Sequence, residues 1–145
     1  MNVKKYIVLI ILILGLIAVR AFIEPFFYDP LIEYFKHDHL KLPIPKLNLT
    51  TYLLNITFRF ILNTIISLAI LFVVFKKVNV LMFSVKIYAA SFVVLISLLF
   101  VFLKFDITEN YLVIFYIRRF LIHPIIILVL IPAFYYQQLI LKRNN

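Results

Sequence analysis

The sequence contains no cysteine, and that absence removes disulfides, thiolate metal sites and thiol nucleophiles together. A cysteine-dependent mechanism is excluded. Charge is also scarce: Asp, Glu, Lys and Arg make up 14% of the residues, against about 25% in a soluble domain. A soluble chain of this length must still cover itself with polar side chains, so water is not the main solvent here. Glycine occurs once, and the glycine-broken helices typical of alternating-access transporters are missing with it. The six acidic residues all lie outside the long apolar runs, so no span supplies a carboxylate for acid or base work. No repeat or low-complexity tract is present.

What remains is apolar. Two thirds of the 145 residues are hydrophobic and the mean hydropathy is +1.11. Four runs, at about residues 6–23, 51–75, 81–103 and 111–141, are long enough to cross a bilayer as helices. The expectation is an all-α integral membrane protein with four transmembrane helices, residues 1–145 forming a single membrane domain. The first run follows Lys4 and Lys5, as in a signal peptide. The segment Ala18-Val19-Arg20-Ala21-Phe22 lacks a convincing small-x-small cleavage site, which favours an uncleaved anchor. The net charge of +9 does not indicate nucleic acid, because the basic residues form no basic, aromatic-rich soluble face.

The basic residues set the orientation. Lys4, Lys5, Lys76, Lys77, Lys86, Lys142 and Arg143 occupy the N-terminus, the second connection and the C-terminus, whereas the first and third connections hold only Lys36, Lys41, Lys46 and Lys104. This split of seven to four predicts that both termini are cytoplasmic. The external first loop, about residues 24–50, is the only long connection, and such loops tend to be functional. Within it Asp29-Pro30 reads as an N-cap and first helical position, predicting a short helix from Pro30 to about His37 at the membrane interface beside Phe26, Phe27 and Tyr28. The proline-rich Leu40 to Leu47 is expected to be extended.

Four arginines fall inside or at the edge of apolar runs: Arg20, Arg59, Arg118 and Arg119. With the predicted topology they share one side of the membrane. Arg59 and the Arg118/Arg119 pair are each about eight residues into their helices, or about 12 Å at 1.5 Å per residue. An arginine near the bilayer centre costs about 2.5 to 3.5 kcal/mol on insertion scales, so four of them require a compensating arrangement. Thr51, Asn55, Arg59, Asn63 and Ser67 recur every four residues, a stripe expected to face protein. Arg119 and His123 are also four apart, and Pro124 frees the carbonyl of Phe120 one turn back. A polar pocket of Arg20, Asn55, Arg59, Asn63, Arg118, Arg119 and His123 follows. Its candidate counter-ions are Glu24, Asp29, Glu33 and Asp38. Such a layer either pins the loop to the bundle through ion pairs or receives an anionic group, a lipid phosphate or a peptide carboxylate, which guanidinium forks bind through two oxygens.

Other signals are weaker. His37-Asp38-His39 offers two metal ligands at most, with His123 on a different segment, so no metal or other cofactor is expected. Asn48-Leu49-Thr50 and Asn55-Ile56-Thr57 match a glycosylation pattern short enough to arise by chance, and the second lies within a predicted helix. Tyr135, Tyr136, Gln137 and Gln138 fit an inner-interface belt, and Pro132 a kink.

The segments Arg20-Ala21-Phe22, Phe27-Tyr28-Asp29-Pro30-Leu31, Ile117-Arg118-Arg119-Phe120 with His123-Pro124, and Pro132-Ala133-Phe134-Tyr135-Tyr136-Gln137 resemble the small exosortase F system-associated membrane proteins of flavobacteria. The resemblance covers the whole chain, including its length. It implies a multi-pass protein of the bacterial inner membrane, working beside an exosortase that processes C-terminal sorting signals at the outer face. It implies no activity for the protein itself. Exosortases use a Cys, an Arg and a His, and this chain has no cysteine to complete that set.

Two functions are therefore expected to compete. One is a non-catalytic accessory protein that binds the exosortase or its substrate's anchoring helix, with membrane lipid around it. The other is a small membrane enzyme or transporter acting on an anionic lipid or peptide through Arg59, Arg118, Arg119 and His123. Reporter fusions after Lys77 and Lys142 are expected to read as cytoplasmic, and fusions near Lys41 and Asp106 as external. An external C-terminus overturns the topology.

Overall fold

The computed structural model describes residues 2–26, 29–38, 46–105 and 111–144, with every side chain in them except those of Ile23, Glu24, His37, Asp38 and Tyr111. All described elements are helical. Helix α1, Val3–Ala18, continues through a π turn, Val19–Ile23, and a 3-10 turn, Glu24–Phe26. A short α2, Leu31–Glu33, runs on as a π turn, Tyr34–Asp38. Then follow α3, Leu49–Phe75, α4, Val78–Lys104, α5, Tyr111–Ile122, and α6, Ile125–Arg143. Val3–Phe22, α3, α4 and α6 are each long and apolar enough to cross a membrane. The stretch from Leu40 to Pro45, expected to be extended, lies outside the described residues, as do Phe27 and Tyr28.

The exposed surface explains the solvent. Ile7, Ile10, Ile11, Leu14 and Ile17 on α1, Val93 and Val94 on α4, and Leu128 and Val129 on α6 all point away from the bundle. A face this large and apolar is untenable in water and at rest in a bilayer. The protein is a multi-pass membrane protein. Its hub is α3, the most buried of the four spans. Helices α1, α4, α5 and α6 all pack on it. Its buried face runs through Tyr52, Ile56, Phe60, Ile70 and Leu71 and carries Arg59, Asn63 and Ser67 as its polar members.

The basic ends come together. Helices α3 and α4 are joined by Lys76 and Lys77 alone, with Lys76 in the left-handed conformation (φ 51°) and its N–H donated to the Phe72 carbonyl at 2.8 Å. This is a helix C-terminal cap of the kind glycine usually makes. The Lys5 ammonium, from the first turn of α1, donates to the Val74 carbonyl at 2.9 Å, satisfying an acceptor in the last turn of α3. Lys77 also shares a cavity with Gln137, Gln138 and Leu141 near the end of α6. The start of α1, the α3–α4 turn and the end of α6 therefore occupy one end of the bundle.

The other end is closed by the first loop. The segment after Pro30 is helical, but its apolar side turns into the bundle: Leu31 and Tyr34 are buried in the main core, and Phe35 packs edge-on against Phe115 of α5 at 5.2 Å. Asp29 does not act as the N-cap. Pro30 takes that position, with no side-chain cap, because the Asp29 carboxylate is engaged elsewhere.

The fourth run is not one helix from residue 111 to 141. It breaks at His123-Pro124 into α5 and α6. Pro124 (φ −77°, ψ 55°) is the centre of an inverse γ-turn, in which the Ile125 N–H donates to the His123 carbonyl at 2.8 Å. Proline lacks the N–H that would meet the Phe120 carbonyl, and with the helix interrupted at the turn the Ile122 carbonyl is met by Asn63 Nδ2 of α3 at 2.6 Å. Pro132, by contrast, sits inside α6 without ending it. Asn63→Leu is expected to lower stability by about 1–2 kcal/mol, since the Ile122 carbonyl loses its donor. Adding Pro124→Ala, which restores an N–H and lets the helix continue, is expected to recover part of the loss. Unfolding titrations in detergent measure both, and an Asn63→Leu protein as stable as the parent overturns the assignment.

Candidate functional site

The arginines are positioned by helical geometry. On α3 a buried face recurs through Tyr52, Ile56, Arg59 and Asn63, at alternating steps of four and three. The strict four-residue stripe winds away from this face by about 40° per step, since successive residues turn by about 100°. Ser67, Asn63 and Arg59 are buried accordingly, Asn55 is half-buried and Thr51 is exposed. Asn55 Nδ2 donates to the Thr51 carbonyl at 2.8 Å, turned onto its own helix and away from the pocket assigned to it.

Arg59 and Arg118 meet on Asp29. Arg118 Nε donates to Asp29 Oδ1 at 3.3 Å while its Nη2 makes a short contact with Oδ2, and Arg59 Nη1 reaches the same Oδ2 at 3.4 Å. The side chains of Asp29 and Arg59 are each 2% exposed and that of Arg118 is 12% exposed. One carboxylate thus receives a guanidinium fork from α5 and a single donor from α3. Of the two acidic side chains described, Asp29 is the one that reaches the arginines, and Glu33 is exposed. The side chains of Glu24 and Asp38, the remaining counter-ion candidates, lie outside the description.

Arg119 follows Arg118 directly and so points about 100° further round α5. It faces a second space, a cavity of about 340 Å³ between the end of α1, α3 and the α5–α6 break. Arg20, Arg59, Asn63 and His123 line the same cavity, with Ile17, Ile125 and Leu128 among its apolar walls. The arginine layer therefore divides into a closed clamp of Asp29, Arg59 and Arg118 and an open cavity of Arg20, Arg59, Asn63, Arg119 and His123. Arg59 is common to both.

Tyr52 lies beside the clamp, with no hydrogen bond to it. Its side chain is fully buried, and its hydroxyl lies close enough to Asp29, Arg118 and Arg59 to feel all three charges. The signal was present in the sequence, because Tyr52 precedes Arg59 by seven residues, two helical turns on one face. On α4, Tyr88 places its hydroxyl beside Ser67 and the Ile127 backbone, carrying the polar face of α3 past the cavity.

Chemically, the clamp is an ion-paired cluster and the cavity is a space lined by cations and apolar side chains. In the clamp the two oxygens of Asp29 are already committed to cations. Among the described residues the cavity walls carry no carboxylate and no hydroxyl. Compared with protein-family models, with curated proteins and with solved structures, the chain matches none.

Removing one partner of a buried pair costs more than the pair contributes, because the remaining charge stays buried. Asp29→Asn, which leaves two guanidinium groups on a neutral amide, is expected to destabilise the protein by about 3–5 kcal/mol. The double variant Asp29→Asn/Arg118→Gln is expected to regain part of this. If Asp29→Asn unfolds at the parent's denaturant concentration, the clamp does not hold the loop.

Proposed function

We propose that the protein is a non-catalytic accessory protein of the bacterial inner membrane. It binds an exosortase, or the anchoring helix of an exosortase substrate, within the membrane, and holds an anionic group in the arginine-lined cavity beside it. The observation that carries the binding role is the convergence of Arg20 and Arg119 with the Asp29-paired Arg59 on one cavity with apolar walls, whose lining includes no carboxylate among the described residues. Such a site is equipped to hold an anion and not to transform one. The exosortase setting and the inner membrane come from the resemblance of the sequence segments given above, and the cytoplasmic placement of both termini from the seven-to-four split of basic residues, six of the seven (Lys4, Lys5, Lys76, Lys77, Lys142 and Arg143) lying where the helix ends gather.

A second reading, a small enzyme or transporter acting on an anionic lipid or peptide, draws on His123 standing among the cavity arginines. Among the described residues the cavity lining holds no hydroxyl or carboxylate, and the single glycine, Gly15, lies within α1 against Ile66 and breaks no helix.

Gentle purification from the native membrane is expected to recover the exosortase or a sorting-signal helix with the protein. Arg119→Lys keeps the charge but loses the fork, so it is expected to leave abundance unchanged and lower that recovery several-fold. Recovery of neither partner overturns the accessory role.

A further inference from the structure

The cavity has an entrance. Helices α1 and α6 both pack on α3 but hardly touch one another, and the cavity lies in the gap between them. Its two lips are Ile17, 55% exposed, and Leu128, 70% exposed, both turned outward from the bundle. In a membrane those side chains face acyl chains, so the cavity opens sideways into the bilayer.

Its charge also selects. Next door, Asp29 shows what a carboxylate takes: one fork from Arg118 and one donor from Arg59 occupy both of its oxygens. The cavity presents three guanidinium groups from three different elements, one of them, Arg59, 2% exposed, set in the wall and paired on its clamp side with Asp29. A group with more oxygens and a tetrahedral spread meets donors from three directions better than a planar carboxylate does.

We infer that the cavity receives the phosphate of a membrane amphiphile, which enters between α1 and α6 and leaves its chains along Ile17 and Leu128. The inference rests on reading the cavity as a binding site, and it fixes the chemical class of what is bound there. It is independent of which protein partner stands alongside.

The full-length protein, stripped of lipid in detergent, is titrated with phosphatidylglycerol and followed by native mass spectrometry. The parent is expected to retain a single lipid. Arg119→Gln, at an exposed position, is expected to weaken retention by about tenfold, the usual effect of losing a hydrogen bond to a charged group. Leu128→Trp, which narrows the entrance without changing charge, is expected to slow uptake while leaving the unfolding midpoint in place. Equal retention by the parent and Arg119→Gln overturns the inference. So does displacement of the lipid by an equal concentration of inorganic phosphate, which marks a site for a soluble anion. A protein that recovers its protein partner but retains no lipid defeats this inference alone, whereas one that retains lipid but recovers no partner defeats the accessory role alone.

Discussion

A carboxylate held between two guanidinium groups inside a membrane bundle sets the terms for the rest of this structure. Arg59 lies ten residues into a helix of 27, too deep to reach water easily, and no span contains an acid to neutralise it. The counter-charge has to be brought down from a loop. When Asp29 is drawn in, Leu31 and Tyr34 enter the core with it, and Phe35 seats on Phe115. Arg118 then ties α5 to α3 through the same two oxygens. With Arg118 committed, its neighbour Arg119 has one direction left, and that direction is the cavity. The open site is thus a by-product of closing the clamp beside it.

The break at Pro124 serves the same geometry from the other side. A continuous helix would carry its own hydrogen bonds and give α3 nothing to hold. The interrupted one offers the Ile122 carbonyl to Asn63, which fastens the break to the central helix one turn from Arg59. Asn63 and Arg59 therefore fix the cavity's inner wall, while α1 and α6 leave its outer side loose.

The spans were legible in the sequence because each is an apolar run whose ends are marked by charge or proline. The interruption was legible only in part. Pro124 announced a lost hydrogen bond, but the apolar residues run on through it to Leu130, and hydropathy alone cannot tell a broken helix from an unbroken one. The loop was harder. Four carboxylates lay within reach of the arginines, and no periodicity in an irregular segment says which will arrive. Asp29 before Pro30 had a ready local role as a cap, and the ion pair overrode it. Spacing by four, which puts Thr51 on the protein-facing stripe and Asn55 in the pocket, looks like a face over one turn. Over four turns it winds around the helix, and the residue two turns before Arg59, Tyr52, occupies the place instead.

The spacing of the clamp along the chain bears on how the protein is made. Asp29 precedes Arg59 by 30 residues and Arg118 by 89. During synthesis the acid leaves the ribosome first, and each arginine enters the bilayer after its counter-charge already exists. The loop cannot lock, however, until α5 has emerged, because the Arg118 fork on Asp29 comes from that helix. Insertion and folding are coupled by that delay: α5, translated after α1, α3 and α4, is the helix that closes the first loop.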